Sequence, residues 1–146
     1  MPSLREYAAS FRAAPDRKLR VLVVDDEEPV RSFVERVLRE AGYETATASD
    51  GPEALETTLA QKRFDILVTD LMMPKMMGDE LARRLRHEEP AIKVLYLTGF
   101  SDRLFKDKTT LWEDEAFLDK PCTVKGLLQA VALLNSGRLE AKDVSD

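Results

Sequence analysis

One apolar stretch of the chain ends abruptly in a carboxylate. The apolar run over residues 64–70 closes on Asp70, and Pro74 and Gly78 follow before the next helical pattern begins. A proline cannot continue the hydrogen-bond ladder of a strand, so the strand must end close to Asp70. In open sheets of parallel strands, ligands bind outside the carboxyl ends of the strands. We therefore interpret Asp70 as a nucleophile that takes up a phosphoryl group.

Polar residues also stand at the ends of three other predicted strands. Carboxylates that share a cleft repel one another, and a hard divalent cation with oxygen ligands offsets that repulsion; this set of residues predicts Mg²⁺. Phosphoryl transfer needs a nucleophile, a metal on the phosphoryl oxygens and further positive or hydrogen-bonding groups around them. These strand ends supply that set beside Asp70. The residues are Asp25 and Asp26 after the first strand, Thr98 after the fourth and Lys120 after the fifth.

The pattern of apolar residues predicts the elements that hold these side chains. Nearly continuous apolar runs are typical of strands buried on both faces, and repeats at three- and four-residue spacing indicate helices between them. This alternation predicts an α/β fold, a five-stranded parallel sheet with helices on both faces. Strand order 2-1-3-4-5 would place the first and third strands side by side. Strands are predicted at 19–24, 43–48, 64–70, 92–97 and 116–118, helices follow the first four, the fourth of them short or irregular within 101–115, and a last helix covers 124–135.

Composition limits the classes of function. The chain has 146 residues, the length of one domain, and its 44% hydrophobic and 34% charged residues are typical of a globular protein. Its 22 basic and 27 acidic residues give a net charge of −5, which gives no reason to expect direct nucleic-acid binding. A single cysteine and the lack of a long apolar run predict a cytoplasmic protein without a membrane partner. We expect an N-terminal extension at 1–18, one domain at 19–135 and a polar tail at 136–146.

Five motifs, in order, resemble the receiver domain of two-component response regulators. The resemblance covers roughly residues 19 to 135 and implies the flavodoxin-like version of the fold predicted above. Five motifs with family-like spacing are far more specific than any one of them. The motifs are Val24-Asp25-Asp26-Glu27, Thr69-Asp70-Leu71-Met72-Met73-Pro74, Gly78, Leu97-Thr98-Gly99 and Lys120-Pro121.

The resemblance implies a phosphorelay signalling role. Asp70 would accept a phosphoryl group from a phosphohistidine on a histidine kinase or phosphotransfer protein. Lys120 would pair with the phosphoryl oxygens, Thr98 would bond one of them, and Phe117 would be the switching aromatic. The domain would then catalyse only its own phosphorylation and dephosphorylation. It would switch a surface within 101–135 toward an unknown output partner, and homodimerisation is left open.

The resemblance also implies a metal site. Mg²⁺ would be held by the side chains of Asp26 and Asp70 and by the backbone carbonyl of Met72, with Asp25 acting partly through water. Pro121 would follow a cis peptide bond. The sequence departs from the family at position 122, where a cysteine replaces the usual phenylalanine. That departure bears on the output surface and not on the phosphorylation site.

Two other functions stay open at this stage. A Mg²⁺-dependent phosphatase could form an aspartyl-phosphate intermediate. Such enzymes usually carry the nucleophile after their first strand with a second aspartate two residues on, whereas Asp70 follows the third strand. The domain could instead be a scaffold that is never phosphorylated, with its strand-end acids serving as helix caps. The intact Asp70, Thr98 and Lys120 argue against the scaffold.

Overall fold

A parallel sheet forms the centre of the molecule. The computed structural model describes residues 3–4, 18–61, 63–99 and 114–136. Within these ranges the five strands lie in the order β2-β1-β3-β4-β5, which confirms the predicted order. The strands are β1 Arg20–Val24, β2 Glu44–Ala48, β3 Ile66–Asp70, β4 Lys93–Thr98 and β5 Glu115–Asp119, and the helices are α1 Glu28–Glu40, α2 Gly51–Ala60, α3 Gly78–Glu88 and α4 Val124–Ser136.

Three expectations from the sequence concern other parts of the chain. Almost all of the N-terminal extension at 1–18 and of the tail at 136–146 lies outside the described residues. The short or irregular helix expected within 101–115 also lies outside them, apart from its last two residues.

Helices cover both faces of the sheet. On one face, α1 and α4 pack against alternate residues of the three central strands, such as Val23, Val68 and Leu95. On the other face, α2 and α3 pack against the intervening residues, such as Leu22 and Leu67. Because successive side chains of a strand point to opposite faces, each central strand contributes to both cores. This two-sided burial is why those strands are nearly continuous apolar runs in the sequence.

Local signals in the sequence fix where α2 begins. The carboxylate of Asp50 accepts a hydrogen bond from the Glu53 backbone N–H at 2.8 Å. The Glu53 side chain in turn accepts the Ser49 backbone N–H at 2.8 Å, so two otherwise unpaired donors are satisfied reciprocally. Pro52 lies in the first turn, where its missing N–H costs nothing. The Ser49-Asp50-Gly51-Pro52 stretch is therefore a turn that caps α2.

The register of the strands lines up their carboxyl ends. Val24 of β1 pairs with Thr69 of β3, so the acids that follow Val24 lie beside Asp70. On the other side of β3 in the strand order, Thr98 of β4 pairs with Asp119 of β5. All the residues singled out by their chemistry thus reach the same edge of the sheet. Among the helices that the structure describes, none is long and apolar enough to cross a membrane.

Candidate functional site

Three carboxylates converge at the carboxyl edge of the sheet. Asp25, Asp26 and Asp70 each offer an oxygen, and these oxygens all lie within 4.8 Å of one another. Asp26 is exposed, whereas Asp25 is 0% exposed and Asp70 is 5% exposed. The cluster predicted from three strand-end acids is therefore assembled, with one side chain facing solvent and two facing the protein.

Hydrogen bonds hold both the side chain and the backbone of Asp25. Its Oδ1 accepts the Glu27 backbone N–H at 2.9 Å, and its carbonyl accepts a hydrogen bond from Arg31 Nη1 at 2.7 Å. Burial raises the pKa of Asp25, and the hydrogen bond from Glu27 and the charge of Lys120 offset only part of this effect. Burial disfavours a charged carboxylate because the protein interior solvates it less well than water does. A nearby cation would therefore be strongly favoured.

Lys120 supplies one such cation. Its Nζ lies 3.1 Å from Asp25 Oδ2, 3.3 Å from Asp70 Oδ2 and 3.4 Å from Glu27 Oε1. Burial alone would lower the pKa of this ammonium, but the carboxylates of Asp70 and Asp25 outweigh it and raise the pKa above its usual value. Lys120 is therefore fully protonated at neutral pH. Its ion pairs with Asp25 and Asp70 link the end of β5 to the ends of β1 and β3.

The acidic cluster fits a hard divalent cation. Asp25 Oδ2 is buried and, among the described residues, has the Lys120 ammonium 3.1 Å away as an ion-pair partner but no hydrogen-bond donor. A buried oxygen without a donor retains a lone pair for a metal. The donors of the cluster are all carboxylate oxygens, which suit Mg²⁺ better than softer metals. Met72, whose backbone carbonyl is a further predicted ligand, lies two residues beyond Asp70 with 41% of its surface exposed.

The loop between β3 and α3 is fixed closely behind Asp70. The Gly78 backbone N–H donates to the Leu71 carbonyl at 2.7 Å. A Cβ atom at Gly78 would overlap the backbone oxygen of Asp70, so only glycine fits there without moving the strand end. The other side of the loop is held by Lys75, whose Nζ lies 3.1 Å from Asp50 Oδ2 at the start of α2. Asp70 is thus positioned by backbone packing.

Thr98 lies at the same edge but is hydrogen-bonded away from the cluster. Its side chain is buried, and Oγ1 donates to Asp119 Oδ1 at 3.0 Å. Phe117, the predicted switching aromatic, is half-buried on β5. Its ring centroid lies 5.5 Å from that of Tyr96 on β4, at an interplanar angle of 41°. The hydroxyl and the aromatic ring are therefore neighbours on one face of the sheet.

The structure adds three residues that the sequence reasoning did not place in the site. They are Glu27, Arg31 and Asp119, which contact Lys120, Asp25 and Thr98 respectively. A signal for Asp119 was available, because strand alternation puts residues 117 and 119 on the same face. Glu27 belongs to the first of the five motifs, although no contact with Lys120 was predicted for it. No comparable signal identifies Arg31, since its contact depends on how α1 turns away from β1. The cis peptide bond between Lys120 and Pro121 was predicted and is confirmed.

Comparison with known proteins identifies the family. The profile of the response regulator receiver domain matches residues 21–132. The chain belongs to this family. The receiver domain is 32% identical over 112 residues to the response regulator receiver protein CpdR of Brucella abortus, covering 77% of this chain and 92% of CpdR. It is 37% identical to part of the sensor kinase CckA of the same organism, covering 76% of this chain and 12% of the kinase.

Solved structures agree with this assignment. The chemotaxis response regulator CheY4 of Vibrio cholerae superposes on the receiver domain with a TM-score of 0.68 at 31% identity. The match covers 81% of this chain and 99% of CheY4. The resemblance drawn from five motifs is therefore confirmed at the level of family and fold. The roles of individual site residues stay predictions.

Proposed function

We propose that Asp70 is the phosphoryl acceptor of this receiver domain, which we place at residues 19–135. The observation that carries the proposal is the position of Lys120 Nζ, 3.1 Å from Asp25 Oδ2 and 3.3 Å from Asp70 Oδ2 at the rim of the sheet. A receiver needs a carboxylate nucleophile with a fixed cation beside it, and a helix cap does not. Gly78 supports the proposal, because its close packing fixes the strand end that carries the nucleophile.

The chemistry is a transfer from nitrogen to oxygen. A carboxylate oxygen of Asp70 attacks the phosphorus of a phosphohistidine, and the phosphorus–nitrogen bond breaks as the new phosphorus–oxygen bond forms. The electron pair of the broken bond stays on the imidazole nitrogen, which then takes a proton. The Lys120 ammonium lies where it can stabilise charge on the phosphoryl oxygens. Dephosphorylation is the attack of water on the same phosphorus, which restores the carboxylate.

Asp25, Asp26, Asp70 and the Met72 carbonyl would hold Mg²⁺. When bound, the ion neutralises charge on the phosphoryl oxygens during transfer. Asp25 and Asp26 then act by holding the cation, and Asp70 acts both as a ligand and as the nucleophile. Thr98 would donate its hydroxyl to a phosphoryl oxygen after transfer, and Phe117 would fill space behind it. We propose the surface within 101–135 as the one that an output partner reads.

We propose that the partner is a histidine kinase or phosphotransfer protein, and that the domain has no further substrate. The chain spans 12% of CckA, so the activities of that kinase are not attributed to this protein. The domain catalyses its own phosphorylation and dephosphorylation and acts on other proteins through binding. The alternative is a phosphatase that turns over phosphate esters through the same aspartyl phosphate.

Intact mass spectrometry with acetyl phosphate and Mg²⁺ tests the proposal. The expected result is one phosphoryl group per chain, lost on treatment with hydroxylamine and absent from Asp70→Asn. A matched control is Asp79→Asn, because Asp79 lies on the first turn of α3 and its side chain accepts the Glu80 backbone N–H at 2.9 Å. This control should be phosphorylated like the parent.

Each of the other outcomes would indicate a different function or a different acceptor residue. Continuous release of phosphate from several esters, with no stable adduct, would support the phosphatase. The absence of any adduct, with Mg²⁺ binding intact, would support a scaffold. An adduct that survives in Asp70→Asn would move the acceptor to another residue.

A further inference from the structure

The Thr98 hydroxyl already has an acceptor in this structure, and that acceptor is an anion. Thr98 is 2% exposed, and its Oγ1 donates to Asp119 Oδ1 at 3.0 Å. The two residues are direct partners in the register of β4 and β5. The bond is therefore set by the sheet itself and does not depend on a loop.

Lys120 links the Thr98–Asp119 pair to the proposed phosphoryl acceptor, Asp70. The Lys120 backbone N–H donates to the Thr98 carbonyl at 2.8 Å, while its Nζ lies 3.3 Å from Asp70 Oδ2. Asp119 thus lies directly before the lysine that faces the nucleophile and directly across from the hydroxyl that would bond the phosphoryl group. Its own side chain is exposed to solvent, whereas that of Thr98 is buried.

We propose that Asp119 is a positioning residue whose carboxylate holds the Thr98 hydroxyl in the unphosphorylated orientation and thereby sets how strongly the domain favours its phosphorylated state. The inference rests on the proposed function of Asp70. It adds a residue to the switch, and it assigns that residue an effect opposed to phosphorylation.

The physical basis is competition for one proton donor. A hydroxyl has a single O–H, and a buried one must donate to some acceptor because leaving it unpaired is costly. In the unphosphorylated protein that acceptor is the Asp119 carboxylate, and hydrogen bonds to charged groups are stronger than those between neutral groups. Donation to a phosphoryl oxygen requires this bond to break. Because Asp119 is exposed, water can solvate its released carboxylate, so the opposition is partial and switching remains accessible.

Beryllofluoride, which mimics the phosphoryl group on an aspartate, provides the test. Its affinity in the presence of Mg²⁺ is measured by calorimetry for the parent, Asp119→Asn and Asp119→Ala. The asparagine keeps an acceptor but removes the charge, and we expect roughly threefold tighter binding. The alanine removes the acceptor, and we expect roughly tenfold tighter binding.

A double-mutant cycle separates this effect from simple loss of a negative charge near an anion. In a Thr98→Val background the hydroxyl is gone, so Asp119→Asn should leave the affinity unchanged. In a Thr98→Ser background the hydroxyl is retained, and the tightening should return. Glu28→Gln is the charge control, since Glu28 is an exposed acid at the start of α1, near the same edge of the sheet. It should change the affinity much less than Asp119→Asn.

A second readout does not depend on ligand binding. Three-bond couplings to the Thr98 methyl carbon report its χ1 rotamer, which should be single in the parent and averaged in Asp119→Ala. Equal tightening in the parent and Thr98→Val backgrounds, or weaker binding in the Asp119 variants, would overturn the inference while leaving the role of Asp70 intact. A parent protein that binds no beryllofluoride would overturn the proposed function and this inference with it.

Discussion

Lys120 lies where acidic side chains from two strand ends meet, and it compensates only part of their charge. One ammonium faces the carboxylates of Asp25 and Asp70, and the exposed Asp26 adds a third negative charge. Burial keeps the pKa of Asp25 raised even with Lys120 beside it. The site therefore has a residual preference for a second cation, and each acid should contribute to that preference separately.

Asp26→Asn should weaken Mg²⁺ binding by roughly tenfold, because one of three carboxylate ligands loses its charge. Calorimetric titration of the unphosphorylated protein measures this directly. Glu28→Gln removes one negative charge two residues further along the chain and is the matched control. An Asp26→Asn protein that binds Mg²⁺ as tightly as the control would remove Asp26 from the metal site.

Lys120→Met should lower the free energy of unfolding of the metal-free protein by about 2 kcal/mol. The loss is expected because the buried Asp25 and the nearby Asp70 would then face each other without a cation. Mg²⁺ should restore more stability to this variant than it adds to the parent, since the ion takes over the role of the ammonium. Urea denaturation with and without Mg²⁺ gives both quantities.

The control for this prediction is Lys125→Met, which removes an exposed lysine from α4. Its stability should change by no more than about 0.5 kcal/mol, as is usual for surface substitutions. If Lys120→Met costs no more than this control, the ion pairs of Lys120 contribute nothing to the metal-free fold.

At the scale of elements, periodicity in the sequence was enough to predict the five strands and the four helices that the structure describes. The order of the strands was expected from the known arrangement of such sheets and not from periodicity. Apolar runs locate β1, β3 and β4 because these strands are buried on both faces. No observed strand end differs from its predicted position by more than two residues. The strand ends also predicted which acids converge. This succeeded because carboxyl ends of parallel strands share an edge whatever the detailed packing.

Contacts that depend on the angle between elements could not be predicted. The hydrogen bond from Arg31 to the Asp25 carbonyl requires the direction in which α1 leaves β1, and no local pattern encodes that direction. The close approach of Gly78 to Asp70 is likewise a tertiary contact. The glycine was visible in the sequence as a motif residue, but the reason for it was not.

Gly78→Ala should destabilise the protein by about 2 kcal/mol, because the new methyl group would overlap the backbone oxygen of Asp70 and the end of β3 must shift. The same shift should reduce the rate of phosphorylation by acetyl phosphate, since the nucleophile sits on the displaced residue. Thermal unfolding and the rate of adduct formation provide the two measurements.

Gly99→Ala is the matched control for stability. Gly99 also follows a strand at the same edge of the sheet, but a Cβ atom there would meet no atom of the described residues within 4 Å. Its stability should therefore stay close to that of the parent. If Gly78→Ala is as stable as Gly99→Ala, then α3 and the loop before it yield to the methyl group without moving Asp70.

At the scale of the whole molecule, the strand order separates the acceptor from the surface that would report on it. Asp70 ends the central strand, with the acids of β1 on one side and Thr98 of β4 on the other. Phe117 lies one strand further out, against Tyr96. A change at Asp70 can therefore travel across β4 to β5, while β2 forms the opposite edge of the sheet and α2 packs beside it.

Beryllofluoride with Mg²⁺ should accordingly shift amide resonances asymmetrically. Beyond the metal ligands, we expect the largest shifts within 98–125, and in particular at Thr98 and from Phe117 to Lys120. The Thr98 hydroxyl exchanges its acceptor there, and the Phe117 ring gains contacts by moving into the space left behind. Shifts along α2 should be small, and Asp70→Asn should show none of the pattern. If the shifts of the parent stop at the metal ligands, β4 and β5 do not carry a switch, and the output surface must lie elsewhere.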